Sequence, residues 1–220
     1  MLIQLTRSDG SEEIIREFRR DICRRIGVNP GETAVAPLTY AFYLFAHTDT
    51  GGDPVGMIEF FFNDDAFASS SNFSYTKAYD LSQIGVPSEM IHVRSVILQE
   101  RYRNSRLFMH LCASMLVSAW KLGARHMTAA TSTTYDYVLG LHKNAGMRRL
   151  GTFVVDGSPQ QLSVLDLAPV AVRAQRLYRR AANHVDHRAK EAIALRRSRG
   201  QFRPGIPSQA IQETGPIPGM

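Results

Sequence analysis

The chain has 220 residues, 44% hydrophobic and 21% charged, which suits one globular domain with a full core or a domain carrying a long appendage. Its net charge is +6, but residues 171–203 hold ten Lys/Arg against Asp186 and Glu191, a net +8, while sixteen basic and eighteen acidic residues leave the rest at −2. No apolar run reaches the roughly 18 residues of a membrane span, and the separated Cys23 and Cys112 argue against a disulfide framework and for a reducing, cytoplasmic compartment.

The first residues, Met1 to Leu5, lack a basic leader and read as a strand rather than a signal peptide. Asp9-Gly10-Ser11 is a turn, and Ser11 is placed to cap a helix whose start carries Glu12, Glu13 and Glu17. Ile14, Ile15, Phe18, Ile22 and Cys23 recur at helical spacing, and Gly27 with Pro30-Gly31 ends the run. Residues 37–47 and 55–62 are apolar arms of a hairpin, joined by a turn containing Gly51-Gly52-Asp53. Of the consecutive Phe60, Phe61 and Phe62, two face one side of that strand and the third the other, as core packing or the wall of an acyl tunnel would require. Residues 63–88 are polar and aromatic and long for a connector, with short helices expected near Thr76 to Ile84.

Met90 to Leu98 reads as the next strand. The spacing of Leu107, Phe108, Leu111, Cys112, Met115, Leu116 and Ala119 predicts a helix over 105–122, ended by Gly123. A strand from His126, a short helix from Tyr135 to Lys143 ended by Gly146, and two strands at 150–155 and 161–167 complete the order β-α-β-β, loop, β-α-β-α-β-β. The fold class is α/β (α+β), with a mixed sheet covered by helices on both faces. Residues 1–168 form this domain, residues 169–199 a basic amphipathic helical extension, and residues 200–220, with four Gly and four Pro, a disordered tail. Val170, Ala174, Leu177, Ala181, Val185, Ala189 and Ala192 keep helical spacing in that extension, as one long C-terminal helix whose stripe packs on the body or makes a homodimer. Its charge suits an acidic protein, a nucleic acid or an anionic surface, or is a solvated helix face.

Metal-ligand spacing, a nucleophile elbow, a P-loop and a dinucleotide fingerprint are all missing. The strongest local signal is the strand-to-helix junction 98–106, where Arg101, Arg103 and Arg106 crowd a helix start. Cations oppose the helix dipole there, and an anion bound at that end reverses the sign.

The run from Arg94 to Gly151 resembles the GNAT superfamily of N-acyltransferases, through Tyr102-Arg-Asn-Ser-Arg-Leu-Phe108 at the start of the long helix and Leu141-His-Lys-Asn-Ala-Gly-Met147 followed by Leu150-Gly151. The resemblance covers roughly residues 1–167 and implies a GNAT-like, mostly antiparallel central sheet. Family members place glycines where Arg106 and Phe108 stand here. The chain looks closer to the branch of acyl-homoserine-lactone synthases and long-chain N-acyl amino acid synthases, with Arg94 at the matching arginine of the central strand.

The implied reaction is acyl transfer from an acyl-phosphopantetheine of acyl carrier protein, or from acyl-CoA, to the amine of an amino acid or similar small molecule, with no tightly bound cofactor. The resemblance implies an oxyanion site at the backbone of Ile97 or Leu98, with Arg94, Arg101, Arg103 and Arg106 on the cofactor side. Glu89, His92 and Glu100 are candidates by position for the base, each also readable as a strand-end or core-edge residue. His142 stands where the family has a tyrosine acid, with Tyr135 and Tyr137 nearby in sequence; Asp136 reads as a helix cap. Two alternatives stand beside this reading. One is an acyl-homoserine-lactone synthase using S-adenosylmethionine. The other is a non-catalytic basic binding protein on the same fold, favoured by the missing glycines.

Overall fold

The computed structural model describes residues 2–8, 13–25, 41–47, 53–64, 79–102, 106–155, 157–177, 183–185 and 187–198, with side chains masked at a few of these. Chain order is β1 (Leu2–Arg7), α1 (Glu13–Arg25), β2 (Phe42–His47), β3 (Pro54–Phe62), β4 (Met90–Leu98), α2 (Arg106–Lys121), β5 (His126–Ser132), α3 (Asp136–Asn144), β6 (Arg148–Val155), β7 (Ser158–Asp166), α4 (Leu167–Leu177), β8 (Asn183–Val185) and α5 (His187–Ser198). Single 3-10 turns at Leu81–Gln83, Pro87–Glu89 and Glu100–Tyr102 sit before and after β4. The helical turn expected near residues 76–84 is the first of these, shorter than predicted.

All eight strands form one sheet in the order β6-β7-β5-β4-β3-β2-β1-β8. Pairing is antiparallel except between β4 and β5 and between β1 and β8, so the sheet is mixed and mostly antiparallel, as expected. The two faces are covered by different helices. Against α1 lie Tyr43, Phe45, Met57 and Phe61, with Ile15, Phe18 and Ile22 from the helix; Ile14 faces outward at 44% exposure. Against α2 lie Leu44, Ile58, Phe60, Phe62 and Val93, met by Leu107, Leu111, Met115 and Ala119. Each large side chain buried here contributes about 1.5–3 kcal/mol of transfer free energy. Phe60 and Phe62 share one face and Phe61 takes the other, and all three are at most 1% exposed, so the core reading holds for them.

Helix α2 ends at Gly123, whose φ of 100° is open to glycine at little cost. Gly146, with φ 81°, does the same for α3, where Met147 N–H donates to the His142 carbonyl.

The C-terminal segment differs from expectation. Residues 169–199 were predicted as one helix; among the described residues they are helices α4 and α5 with strand β8 between them, hydrogen-bonded parallel to β1. The alanine stripe packs on the body: Ala174 meets Ala113 and Val117 of α2, and Ala189 and Ala192 join the main core. Small residues let these helices approach closely, and of the stripe offered for a homodimer, Val170, Ala174, Ala189 and Ala192 pack on the chain itself. The tail from residue 200, and Ala181, lie outside the described residues. No helix among the described residues is long and apolar enough to cross a membrane.

Candidate active site

A crevice opens where the two central parallel strands part. β4 and β5 pair over only four residues, Met90↔His126 to Val93↔Ala129. Beyond them both strands continue, β4 along β3 as far as Leu98↔Gly56 and β5 along β7 as far as Ser132↔Gln160. The cause lies in β4. Glu59 of β3 opposes Ser95 and Phe60 opposes Val93, which leaves Arg94 as an extra, bulged residue. A bulge bends its strand and ends pairing on the far edge. β4 therefore swings from β5 at the position after their last pair.

The parted edges carry unpaired backbone groups. Gln99 N–H donates to Val55 O on β3 at 2.9 Å. Alternation along a strand then turns the amides of Leu98 and Val96 toward the opening and that of Ile97 toward β3. Of the two amides expected to bind an oxyanion, Leu98 suits the role and Ile97 does not. The Val96 side chain beside the opening is 44% exposed, while Leu98 is buried. The crevice opens at the carboxyl ends of parallel strands, the usual ligand position in such sheets.

The first turn of α2 stands past the end of β4 and presents unsatisfied N–H groups. Arg106, its first residue, is exposed. Arg101 is also exposed, its guanidinium 4.8 Å from the Tyr102 ring centroid. Arg103 lies outside the described residues. Phe108, at a family glycine position, is partly buried and packs against the main core. Arg101 and Arg106 stand on either side of the helix start.

The candidate acids and bases fall in separate places. Glu100 is exposed at the mouth, in the turn after β4. Glu89 immediately precedes β4, so about 30 Å of extended strand separates it from Leu98. His92 is 4% exposed. Its Nδ1 lies 3.0 Å from Thr128 Oγ1, and that hydroxyl donates to Ile91 O, so the hydroxyl accepts from His92 Nδ1–H. Burial, and then the charge of Arg94, lower the His92 pKa to about 3. Such a neutral imidazole is too weak a base to take an ammonium proton. Tyr135 precedes α3 with 63% exposure and makes no side-chain cap; Asp136 is the acid of that helix's first turn. Tyr137 is 69% exposed. His142 is half-buried on α3, its pKa lowered by burial, with Nδ1 shielded and without a hydrogen-bond partner. Burial pushes the Cys112 thiol up to about 12, which makes it a poor nucleophile. No cluster of three His, Cys, Asp or Glu among the described residues has metal-binding geometry.

The structure adds a polar group that sequence reasoning passed over. Beneath α1, Glu59 is fully buried; Tyr43 Oη–H donates to its Oε1 and Arg19 Nη2 to its Oε2. Arg94 reaches the same carboxylate from the bulge, Nε to Oε2 at 3.8 Å. Two signals existed: an acid in the middle of the apolar strand PVGMIEFFF, and Arg19 on the apolar side of α1 beside Phe18. A buried charge of that kind requires a partner.

No protein-family profile matches the chain, and no curated protein matches it in sequence. Among solved structures it is similar to BjaI, a CoA-dependent acyl-homoserine lactone synthase bound to S-adenosylmethionine and isopentyl-CoA, with TM-score 0.65 and 15% identity over 90% of this chain and 99% of that one. MesI, another CoA-dependent synthase of that kind, gives TM-score 0.59 and 15% identity over 84% and 99%. A protein from Desulfovibrio desulfuricans described as a GNAT-family acetyltransferase gives 0.50 and 15% over 76% and 99%. These likenesses show the fold: it is one shared with the two lactone synthases and the acetyltransferase, as expected from the resemblance of the residues from Arg94 to Gly151.

Proposed function

We propose that this protein is an N-acyltransferase whose acyl thioester lies in the crevice between β4 and β5. The observation that carries the reading is the parting of these strands at the Arg94 bulge, with the start of α2 at the open end. An extended phosphopantetheine arm fits there as a missing strand would, its amides pairing with the free edges. Its phosphate meets the α2 amides with Arg101 and Arg106. Acyl-CoA and acyl carrier protein both supply such an arm, and exposed arginines at the mouth suit an acidic carrier. Both donors are cytoplasmic, so the reading carries that location with it.

The transfer balances simply. The acceptor nitrogen attacks the thioester carbon; the C–N bond forms and the C–S bond breaks. The Val96 and Leu98 amides are the donors available to the developing oxyanion. The amine proton leaves through water toward Glu89 or Glu100, the two candidate carboxylate bases. The thiolate takes a proton from Tyr135, since burial disfavours the charged form of His142 that would donate one.

A second reading gives S-adenosylmethionine as the acceptor, with lactone formation after acylation. It is favoured by the closer likeness to the lactone synthases, at TM-scores of 0.65 and 0.59, than to the acetyltransferase at 0.50.

The test is thiol release from acyl-CoA and acyl carrier protein thioesters of graded length, screened against the amino acids and S-adenosylmethionine. Amine-dependent release is expected, and it should fall at least tenfold in Val96→Phe, which fills the opening with little change in the core. Methylthioadenosine formed with the thiol selects the second reading. No release from any donor leaves the non-catalytic binding protein standing.

A further inference from the structure

The polar cluster beneath α1 includes a cation, Arg94, with an unused hydrogen-bond donor. Both oxygens of Glu59 already accept hydrogen bonds, from Tyr43 and from Arg19, and Arg19 is itself only 4% exposed. That is a matched buried pair. Arg94 stands 3.8 Å away through Nε, near enough for attraction and too far for a hydrogen bond. Its guanidinium keeps its donors. Nη1 is shielded from solvent and meets no hydrogen-bond partner, although the side chain as a whole is 29% exposed. His92, alongside, is neutral. Arg94 therefore offers a positive charge with an unused donor in a half-closed place.

The location decides which anion this charge serves. Arg94 is the bulged residue where the crevice begins, four positions before Leu98, about 13 Å of strand. A phosphate held at the start of α2 lies beyond its reach. An arm entering from that end brings its reactive end inward, toward the bulge. The molecule that meets it there is the acceptor.

We propose that Arg94 binds a carboxylate on the acceptor amine, and that Glu59 and Arg19 are the positioning residues that hold it in place. The acceptor is then an α-amino acid or a derivative with a free carboxylate. A planar guanidinium with unused donors matches a carboxylate in geometry and in charge. The carboxylate sits one carbon from the α-amine, so anchoring it sets the nucleophile at the depth the thioester reaches. This inference rests on the acyl-transfer reading for the role of the site, and its binding test does not require transfer.

Full-length protein is titrated by calorimetry with S-adenosylmethionine and the common free amino acids. The tightest binder is then repeated as its carboxamide, against wild type, Arg94→Gln and Arg94→Lys. The carboxamide should bind wild type about tenfold more weakly or worse. Arg94→Gln should lose the same factor for the acid and no longer distinguish acid from amide; Arg94→Lys should recover part of it. Melting curves confirm that the variants fold. In thiol-release assays the loss should appear in KM for acids. A fall in kcat shared equally by acids and amides would put Arg94 on the reacting carbonyl and overturn the proposal. Equal binding of acid and amide by wild type, unchanged discrimination in Arg94→Gln, or no binding by any member of the panel would overturn it too. Discrimination without thiol release from any donor would sink acyl transfer and leave the carboxylate site standing.

Discussion

β3 sends Ile58, Phe60 and Phe62 into one face of the sheet and Met57, Glu59 and Phe61 into the other, and different forces hold the two sets. On the α2 side the packing is mainly apolar, with Phe42 stacked on Phe60 at 5.4 Å between centroids. On the α1 side the same strand carries a buried carboxylate, held by a tyrosine and an arginine, with His92 and Thr128 one and two strands away. The apolar face depends on burial and close packing. The polar face depends on every charge finding its partner, and it opens into the crevice where β4 bends.

Removing one member from each face sharpens that contrast most. Glu59→Ala should destabilise by about 3–5 kcal/mol, because Arg19 is left buried and unpaired. Phe60→Ala should cost a similar ~3–5 kcal/mol through a cavity. Repair separates them. Glu59→Leu combined with Arg19→Met should return to within roughly 2 kcal/mol of wild type, since an apolar replacement of a buried pair is often neutral. Urea unfolding measures all three, and a double variant as unstable as Glu59→Ala would refute the account of the polar face.

The next effect is one of pH. Unfolded, His92 takes a proton near pH 6.5; in the fold, burial first and Arg94 second hold its pKa to about 3. Between those values the unfolded state binds a proton that the native state does not. Its contribution to stability is full above pH 6.5 and is lost as pH falls toward 3, at up to ~1.4 kcal/mol per pH unit. His92→Gln should flatten that part of the stability curve, and an unchanged slope would show that His92 titrates normally.

Thr128→Val, which leaves His92 Nδ1–H without its acceptor, should cost about 1–3 kcal/mol. Its apolar-face counterpart Ile58→Val should cost ~0.5–1.5 kcal/mol. The smallest effect on stability belongs to the mouth, which lies on neither face. Arg106→Ala should change stability by less than about 1 kcal/mol, in the favourable direction without a bound anion. It should raise KM for the thioester severalfold, by a factor that shrinks with added salt. A salt-independent KM would remove Arg106 from phosphate binding.

Much of this architecture was legible because the period of the apolar residues is local information. The spacing in α2 and α1, the stop at Gly123 and the strand from Met90 to Leu98 all follow from neighbours within a few turns. The arginine-rich helix start was legible for the same reason. The C-terminal segment was not: its spacing reads through residues 183–185, and only the free edge of β1 diverts them into a strand. Glu89, His92 and Glu100 lie close in sequence, yet the extended strand carries Glu89 far from the mouth and pleating buries His92 beneath α1.

The sequence by itself determined the order of elements as far as β7, the likeness to an acyltransferase fold and the arginine-rich start of α2. Those rest on residues that lie close along the chain. The tertiary structure alone decided that Arg94 is a bulge, that β4 and β5 part at that point, and that Glu59, Arg19 and Tyr43 meet beneath it. These depend on strand register and on contacts between residues as many as 40 positions apart, which no local pattern encodes.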